Sequence, residues 1–375
     1  MPVALALSFT DLARDPRVNR QIRALKKACD VIAAGGADPQ VNGVRFVACP
    51  RAARSVADKA VEAARLLAGS HERYYWSQAH VAAAREALRE VRADVVIAND
   101  IEALPVALEA AKGAPVILDA HEYSPREYDT LRWRLLKQRY TERLFRAGLP
   151  RIAGMMTVAA GIAAEYQRNF GVDPVVVHNA PPYHELSPTP VQPGTIRMIH
   201  HGNAMPARRI ENMLEVMRSL DERFTLDLML IPADPAYYAS LKDAAAGDQR
   251  VRFLEPVPMR ELVGFANAYD IGLYLLEPSS FNNLHALPNK FFEFVQSRLA
   301  LAVGPSPEMA ALVERHGFGI VARDFLPLSL ARALNALDAP RINQMKARSH
   351  AAARELSFER SEEALLGLVR KVIQH

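Results

Sequence analysis

Residues 94–122 read DVVIANDIEALPVALEAAKGAPVILDAHE, and two apolar runs in this stretch flank one helical segment. The runs at 94–98 and 115–119 are rich in Val, Ile and Leu, and residues 104–112 between them favour a helix. Continuous apolar strands joined by a helix are typical of a parallel sheet that is covered on both faces. The stretch therefore predicts a β-α-β unit with buried strands.

The same alternation of strands and helices extends through most of the chain. A break at 181–195 interrupts it, because five prolines fall between Pro181 and Pro193, a composition typical of a linker. Strands are predicted at 3–8, 30–34, 44–48, 94–98, 115–119, 155–158 and 174–178 before the break, and at 196–200, 226–231, 251–254, 270–276, 299–303 and 319–321 after it. Helices are predicted at 16–27, 58–91, 104–112, 131–147 and 161–169, from 208, from 288, and at 357–374.

This pattern predicts an α/β protein of two Rossmann-like domains, each an open parallel sheet, that face a central cleft. The expected limits are 1–180 for the first domain, 181–195 for the linker and 196–355 for the second domain. An amphipathic C-terminal helix at 356–375 is expected to return to the first domain.

The charge of the chain is modest and unevenly distributed. Residues 1–186 carry 25 Lys and Arg against 21 Asp and Glu, a net charge of +4, whereas residues 187–375 carry 21 of each. A net excess of +4 is too small to indicate a nucleic-acid-binding protein, which would need a basic stripe with interleaved aromatic residues. Nucleic acid is therefore excluded as a partner.

The cysteine content and the hydropathy pattern indicate a cytoplasmic protein. The two cysteines, Cys29 and Cys49, cannot form a disulfide framework and have no metal-ligand spacing. The apolar N-terminus has no basic segment and no cleavage site, so it is interpreted as a strand. No uncharged apolar run approaches the roughly 18–20 residues that span a bilayer.

Sequence motifs of several enzyme classes are absent. There is no Walker A sequence, no His-Glu-x-x-His and no Cys-x-x-Cys. No two aspartates lie two positions apart, so an Asp-x-Asp metal site is missing as well. These absences exclude the P-loop nucleotide site and the metal sites that the motifs would indicate.

The most informative motif lies at 282–294, which reads NNLHALPNKFFEF. Pro288 suits the first turn of a helix, where its missing N–H is not needed. The N–H groups at 286–289 would then point at an anion, and the helix dipole would add to the attraction. Lys290 is expected to face the same phosphates, and Glu293 to accept hydrogen bonds from two ribose hydroxyls.

This motif resembles the C-terminal domain of glycosyltransferase family 4, whose members carry a Glu-x7-Glu element. In one branch of the family the element reads approximately Asn-x5-Pro-Asn-Lys-x2-Glu-Tyr. His285 stands here in the place of the first, sugar-facing Glu, so an imidazole replaces a carboxylate. The matching residues are Asn283, Pro288, Asn289, Lys290, Glu293 and Phe294.

A second motif, GNAMPARR at 202–209, follows the strand 196–200 and is expected to open the next helix. It resembles the family pattern Gly-Arg-x4-Lys-Gly, in which two cations bind the pyrophosphate of the donor. Asn203 stands at the Arg position, and Arg208 at the Lys position. The residues expected around the donor are Gly202, Asn203, Arg208, His285, Ala286, Leu287, Pro288, Asn289, Lys290 and Glu293.

The N-terminal half carries three shorter resemblances to the family. Asp15-Pro-Arg-Val18 lies just after the first strand, and 99–102 and 119–122 follow two buried strands. The family often has Asp-x-His-Glu at the second of these strand ends, with the His near the reacting sugar. The resemblance is strong at 196–304, moderate at 90–180 and weak at 30–90. It implies that the acceptor side contains Arg17, Asp100, His121 and Glu122.

The resemblance implies the GT-B fold and a retaining transfer of sugar from a nucleoside diphosphate-sugar to a hydroxyl of a glycan or lipid-linked acceptor. The process it implies is the synthesis of cell-surface polysaccharide or glycoconjugate. His121, Arg208 and Lys290 would be catalytic, the two cations by stabilising the leaving diphosphate. Such an electrostatic role would need no metal and no other cofactor, since the nucleotide-sugar is a substrate. Two alternatives stay open. One is a sugar-nucleotide epimerase on the same fold, and the other is a non-catalytic sugar-nucleotide-binding subunit, which the replacements at Asn203 and His285 would favour.

A basic segment at 126–151 holds eight Lys and Arg against three Asp and Glu, with aromatic and leucine side chains among them. A solvated helix face is one interpretation of this segment. The other is an interfacial helix that meets anionic lipid or a phosphorylated acceptor. The second interpretation would place the protein on the inner face of the membrane as a peripheral protein.

Overall fold

The structure is a computed structural model that describes residues 1–49, 56–128 and 130–374. The chain forms two compact units. The first comprises Met1–His178, Ser280–Asn282 and the chain from Ser361 onward, and the second comprises Asn179–Ser279 and Asn283–Arg360. Each unit contains its own parallel sheet with helices, so the predicted fold class is confirmed.

The first unit is built on a parallel sheet of short strands, which are buried at its centre and partly exposed at β3 and β7. Its strands are β1 (Val3–Leu7), β2 (Asp30–Gly35), β3 (Arg45–Ala48), β4 (Val95–Asn99), β5 (Val116–Ala120), β6 (Gly154–Thr157) and β7 (Val175–Val176). Their order across the sheet is β3-β2-β1-β4-β5-β6-β7. Its helices are α1 (Pro16–Leu25), α2 (Val56–Leu67), α3 (His71–Trp76), α4 (Ala79–Ala87), α5 (Leu104–Ala110), α6 (Leu131–Trp133), α7 (Arg139–Gly148) and α8 (Ala160–Phe170).

The first helix shows how local sequence fixes an element of this unit. Asp15 is its N-cap, and the Asp15 carboxylate accepts hydrogen bonds from the N–H groups of Arg17 and Val18, both at 3.1 Å. Pro16 occupies the first helical position, where no N–H is required. The Asp-Pro-Arg-Val sequence is thus a helix start directly after β1.

Two helical regions of this unit differ from the prediction. The long helix expected at 58–91 is divided into α2, α3 and α4. Gly69 adopts a left-handed φ of +68° just after α2 ends, which is a common way to terminate a helix. The basic helix expected at 131–147 contains a π-helical turn, Arg134–Gln138, between α6 and α7.

The second unit repeats the architecture. Its strands are β8 (Ile196–Asn203), β9 (Phe224–Ile231), β10 (Val251–Leu254), β11 (Ile271–Tyr274), β12 (Ala300–Val303) and β13 (Gly319–Val321), in the order β10-β9-β8-β11-β12-β13. The helices from Glu211 onward are α9 (Glu211–Arg218), α10 (Pro235–Ala245), α11 (Met259–Ala266), α12 (Phe281–Leu284), α13 (Asn289–Gln296), α14 (Pro307–His316), α15 (Pro327–Asn335), α16 (Ala339–Ala352) and α17 (Phe358–Ile373). The last of these, α17, belongs to the first unit from Ser361 onward.

The strand order reverses once in each sheet. In the first unit β1 lies between β2 and β4, and in the second unit β8 lies between β9 and β11. Ligands of open α/β sheets bind outside the carboxyl ends of the strands at such a reversal. A ligand site is therefore expected at the carboxyl ends of β4 and β8.

Candidate functional site

The strands β8 and β11 diverge toward their carboxyl ends. They pair only at Met198 with Ile271 and at Ile199 with Gly272. Beyond this point the side chain of His200 connects them, with Nδ1 2.9 Å from the carbonyl oxygen of Leu273. Because a carbonyl oxygen only accepts, Nδ1 carries the hydrogen and Nε2 is left as an acceptor.

Lys290, in the first turn of α13, lies in the opening between these two strands. Its Nζ atom is 3.4 Å from Nε2 of His200 and 4.9 Å from the centre of the Tyr274 ring. Gly202 approaches the same atom from β8. A Cβ atom at Gly202 would lie 2.8 Å from Nζ, and the φ of +136° at this residue is unfavourable for any other L-residue.

The environment of Lys290 disfavours its positive charge. Burial lowers the pKa of Lys290 to about 7, the charge of Arg208 lowers it further, and only Glu293 opposes the shift. Burial and the charge of Lys290 hold the pKa of His200 well below its ordinary value, so the imidazole is neutral. An anion bound here would stabilise the ammonium group. This edge of the sheet is therefore suited to bind an anion.

Arg208 is a second cation at this edge. It ends the 3₁₀ turn Pro206–Arg208 and does not open α9, because β8 continues through Gly202 and Asn203 and α9 begins only at Glu211. Arg208 is exposed, and no carboxylate pairs with it among the described residues. Its neighbour Arg209, in contrast, lies 3.0 Å from Glu277.

The start of α13 supplies backbone donors. The helix begins at Asn289 with Pro288 as its N-cap, and no side chain caps it. Within the described part of the chain, the N–H groups of Asn289 and Lys290 have no acceptor. The N–H of Ala286 donates to the carbonyl oxygen of Asn283 at 3.3 Å and Pro288 has no N–H, so neither residue is a free donor in the run expected at 286–289. Leu287 contributes a buried side chain.

Glu293 is a buried carboxylate, although its place on a helix gave no sign of burial. It is 7% exposed, and its Oε2 atom lies 3.5 Å from Nε2 of His201. Burial, and then the charge of Lys290, lower the pKa of His201 to about 3, so this imidazole is neutral too. Glu293 is thus held on the side of α13 that faces the end of β8.

The other two expected donor residues lie at the ends of their segments. Asn203 is the exposed last residue of β8. His285 precedes α13, and its Nδ1 atom lies 3.0 Å from Oε1 of Glu308 in the first turn of α14. Glu308, His200 and His201 belong to none of the sequence motifs. The only sequence signal for the two histidines is their place at the end of an apolar strand.

In the first unit, the carboxyl ends of β4 and β5 bring His121 and two aspartates together. The Nδ1 atom of His121 lies 3.5 Å from Asp100, and its Nε2 atom lies 3.7 Å from Asp119. Burial alone would lower the pKa of His121, but the two carboxylates outweigh it and raise the pKa. Asp100 has φ 65° and ψ 158°, a conformation that costs a non-glycine residue roughly 1–3 kcal/mol.

Arg17 is buried and donates its hydrogen bonds to residues of its own unit. Its guanidinium donates to both oxygens of Asp119, with Nε at 3.1 Å from Oδ2, and to the carbonyl oxygen of Val177 at 2.8 Å. Burial alone would raise the pKa of Asp119, but Arg17 and His121 lower it well below its usual range. Arg17 thus fixes the carboxylate that faces His121.

Glu122 and Glu127 add carboxyl groups near this strand end. The Oε2 atom of Glu122 accepts a hydrogen bond from Asn282 at 3.3 Å. Burial raises the pKa of Glu127 to about 7, and Glu122 and Asp100 raise it further. No motif marked Glu127, because its burial depends on the fold and not on its sequence neighbours.

Two kinds of feature are absent from the described residues. No helix of residues 1–49, 56–128 and 130–374 is long and apolar enough to cross a membrane. Across the same ranges, no three His, Cys, Asp or Glu side chains are grouped so that they could hold a metal ion.

Comparison with known proteins agrees with this architecture. Residues 14–181 match the family described as Glycosyltransferase Family 4. The chain has the GT-B fold and resembles glycosyltransferase family 4. No curated protein matches it by sequence.

Solved structures of low sequence identity share the fold over almost the whole chain. HepE of Anabaena in complex with UDP-glucose has a TM-score of 0.70 at 12% identity, covering 99% of this chain and 100% of that one. WaaG, a glycosyltransferase involved in lipopolysaccharide biosynthesis, has a TM-score of 0.66 at 13% identity, covering 97% and 100%. A UDP-forming α,α-trehalose-phosphate synthase from Burkholderia vietnamiensis has a TM-score of 0.66 at 10% identity, covering 100% and 99%.

Proposed function

We propose that this protein is a retaining glycosyltransferase that uses a UDP-sugar as donor and a hydroxyl of a glycan or lipid-linked molecule as acceptor. The observation that carries the proposal is the pair of cations, Lys290 and Arg208, beside the uncapped start of α13. Their location at the strand reversal of the second unit is where open α/β sheets bind phosphate-bearing ligands. The family match and the UDP complexes of HepE support the choice of a UDP-sugar.

In this proposal the diphosphate of the donor binds at the end of β8. Lys290, Arg208 and the N–H groups of Asn289 and Lys290 stabilise the charge that develops on the diphosphate as the sugar leaves. Glu293, held beside neutral His201, accepts hydrogen bonds from the ribose hydroxyls. The protein supplies the positive charge from its own side chains, so the transfer needs no metal.

The first unit contributes the acceptor side. His121 stands between Asp100 and Asp119, and Glu122 and Glu127 lie close to them, which gives this strand end groups that bind sugar hydroxyls. The leaving phosphate takes the proton of the acceptor hydroxyl, as the family resemblance implies. We place the protein in the cytoplasm, in the synthesis of cell-surface polysaccharide or glycoconjugate.

The segment from 126 to 151 is proposed as a peripheral membrane contact. Leu131 and Leu135 are 71% and 64% exposed, and Arg134 and Arg139 are exposed beside them. Apolar side chains flanked by arginines fit the interface of an anionic bilayer. Residue 129 of this segment lies outside the described residues.

An epimerase is the second candidate, because Asp100 and Glu127 both have a raised pKa and such an enzyme needs a carboxyl acid and base. The test incubates UDP-glucose, UDP-galactose and UDP-N-acetylglucosamine with sugar and lipid-linked acceptors. Release of UDP that depends on the acceptor, with an α-linked product by NMR, is the expected result. A β-linked product contradicts retention, an epimerised UDP-sugar without acceptor supports the epimerase, and binding without any turnover supports a non-catalytic subunit.

A further inference from the structure

A hydrogen bond between His285 and Glu308 joins two helix starts in the second unit. The strands β11 and β12 run side by side to their carboxyl ends, where Tyr274 is in register with Val303. His285 lies just before α13, and Glu308 lies in the first turn of α14, which follows β12. The two side chains are 19% and 11% exposed, so the pair lies at the carboxyl edge of the sheet and is not fully enclosed in the core.

We propose that Glu308 is a positioning residue that holds His285 so that its Nε2 atom accepts a hydrogen bond from a hydroxyl of the donor sugar. This inference rests on the proposed function, because it assumes that the diphosphate binds at Lys290. The start of α13 ties the two together, since His285 is only five residues before Lys290 in the same segment.

The chemistry of the pair decides which nitrogen of a neutral ring carries the hydrogen. An ionised carboxylate only accepts hydrogen bonds, so the hydrogen of a neutral His285 lies on Nδ1, which is 3.0 Å from Glu308. The lone pair is then on Nε2. A carboxylate partner fixes the tautomer and orientation of an imidazole in the same way in metal sites, where the second ring nitrogen binds the metal. The helix dipole favours the negative charge of Glu308 in the first turn of α14.

The arrangement also explains how an imidazole replaces the carboxylate of the family element. A glutamate at position 285 would be a hydrogen-bond acceptor with a negative charge. His285 in this tautomer is an acceptor as well. The negative charge lies on Glu308, the hydrogen-bond partner of its Nδ1 atom. The pair therefore retains the character of the sugar contact with two residues in place of one.

The experiment measures how much the sugar adds to binding. Calorimetric titrations of UDP and of UDP-glucose give the ratio of their dissociation constants for wild type, Glu308→Ala, Glu308→Gln and His285→Ala. The ratio is the dissociation constant of UDP divided by that of UDP-glucose, so it rises with the contribution of the sugar. We expect Glu308→Ala and His285→Ala each to lower this ratio about three- to ten-fold, the size of one hydrogen bond, while the affinity for UDP changes less than two-fold. Glu308→Gln keeps an oxygen that accepts from Nδ1, so it should retain most of the ratio.

A second pair of variants separates positioning from a merely structural role. His285→Glu places two carboxylates together, and like charges this close cannot both ionise without cost. Removing Glu308 should therefore raise the sugar contribution in the His285→Glu background, although it lowers it in wild type. Glu314 is an exposed glutamate further along α14, and Glu314→Ala is the matched control. It should leave the ratio unchanged in wild type and in His285→Glu.

The outcomes separate the two levels of the argument. A wild type that binds neither UDP nor UDP-glucose overturns the proposed function, and this inference with it. A wild type that binds both, with an unchanged ratio in Glu308→Ala, overturns only the role of Glu308. The role of Glu308 is also overturned if Glu308→Ala changes the ratio in the same direction in wild type and in His285→Glu. It is overturned as well if the lower ratio in Glu308→Ala comes with a lowered melting temperature that Glu308→Gln shares.

Discussion

The Nζ atom of Lys290 lies 3.4 Å from the acceptor nitrogen of His200, and that imidazole is tied to the backbone of Leu273. The contact holds the ammonium group in place without neutralising it, because His200 carries no charge. Lys290 therefore has a fixed position and a pKa of about 7. These two properties give the site a proton-linked signature that a surface lysine lacks.

The first prediction follows from that pKa. At pH 8 most Lys290 side chains are neutral, and a bound diphosphate restores the charge, so UDP should bind with uptake of up to about one proton. Calorimetry should give a more endothermic heat in Tris than in HEPES, since the proton comes from the buffer. The buffer dependence should vanish in Lys290→Met. A dependence that persists in Lys290→Met would assign the proton to another group.

The second prediction concerns the strained backbone at Asp100. Asp100→Gly removes the carboxylate and relieves the unfavourable φ of 65°, whereas Asp100→Ala removes the carboxylate and keeps the strain. We expect the glycine variant to be more stable than the alanine variant by about 1 kcal/mol in denaturant unfolding, the reverse of the usual order. Both variants should lose transfer activity to the same extent, since both leave His121 without Asp100. Equal stability, or a more stable alanine variant, would show that the backbone is not strained.

The third prediction tests the membrane contact of the segment 126–151. The protein should sediment with phosphatidylglycerol vesicles at low salt and be released as salt screens the attraction. Leu131→Ser with Leu135→Ser should weaken this binding. Leu326→Ser with Leu328→Ser, at an exposed apolar pair of the second unit, is the matched control and should not. Equal recovery from phosphatidylglycerol and phosphatidylcholine vesicles would leave a solvated helix face as the better interpretation.

The sequence was most informative where a local pattern has a local cause. The alternation of apolar runs and helices predicted both sheets, and the Pro-Asn-Lys sequence at 288–290 predicted a helix start within one residue. The strand ends that carry Asp100 and His121 were placed correctly, because buried strands end where their apolar runs end. The helix at 58–91 was drawn too long, since one glycine at position 69 did not outweigh an alanine-rich pattern.

What the sequence did not show depends on contacts between distant segments. Glu308 meets His285 across 23 residues, and Arg17 meets Asp119 across 102, so neither pair has a spacing that a motif records. The burial of Glu293 is another example, because a glutamate on a helix is usually exposed. Such side chains acquire their roles only when the strands bring their segments together.

The family match and the motifs also fall in different halves of the chain. The match covers 14–181, whereas the motifs that carried the resemblance are densest at 196–304. A family match sums many positions of moderate similarity along strands and helices. The donor motifs depend on a few ligand-facing positions, and two of these, Asn203 and His285, differ from the family pattern.

The central claim, that the second unit binds a nucleoside diphosphate through Arg208 and Glu293, is tested most directly by calorimetric titration of UDP. Arg208→Ala removes a charge-assisted contact of roughly 1.5–3 kcal/mol, so affinity should fall about ten- to a hundred-fold. Glu293→Gln should weaken binding with the fold intact, because it keeps the shape but loses the charge that attracts two hydroxyls. Arg260→Ala, at an exposed arginine of α11, should leave affinity unchanged. Unchanged affinity in both site variants, or losses that follow a collapse of the melting temperature, would contradict the account.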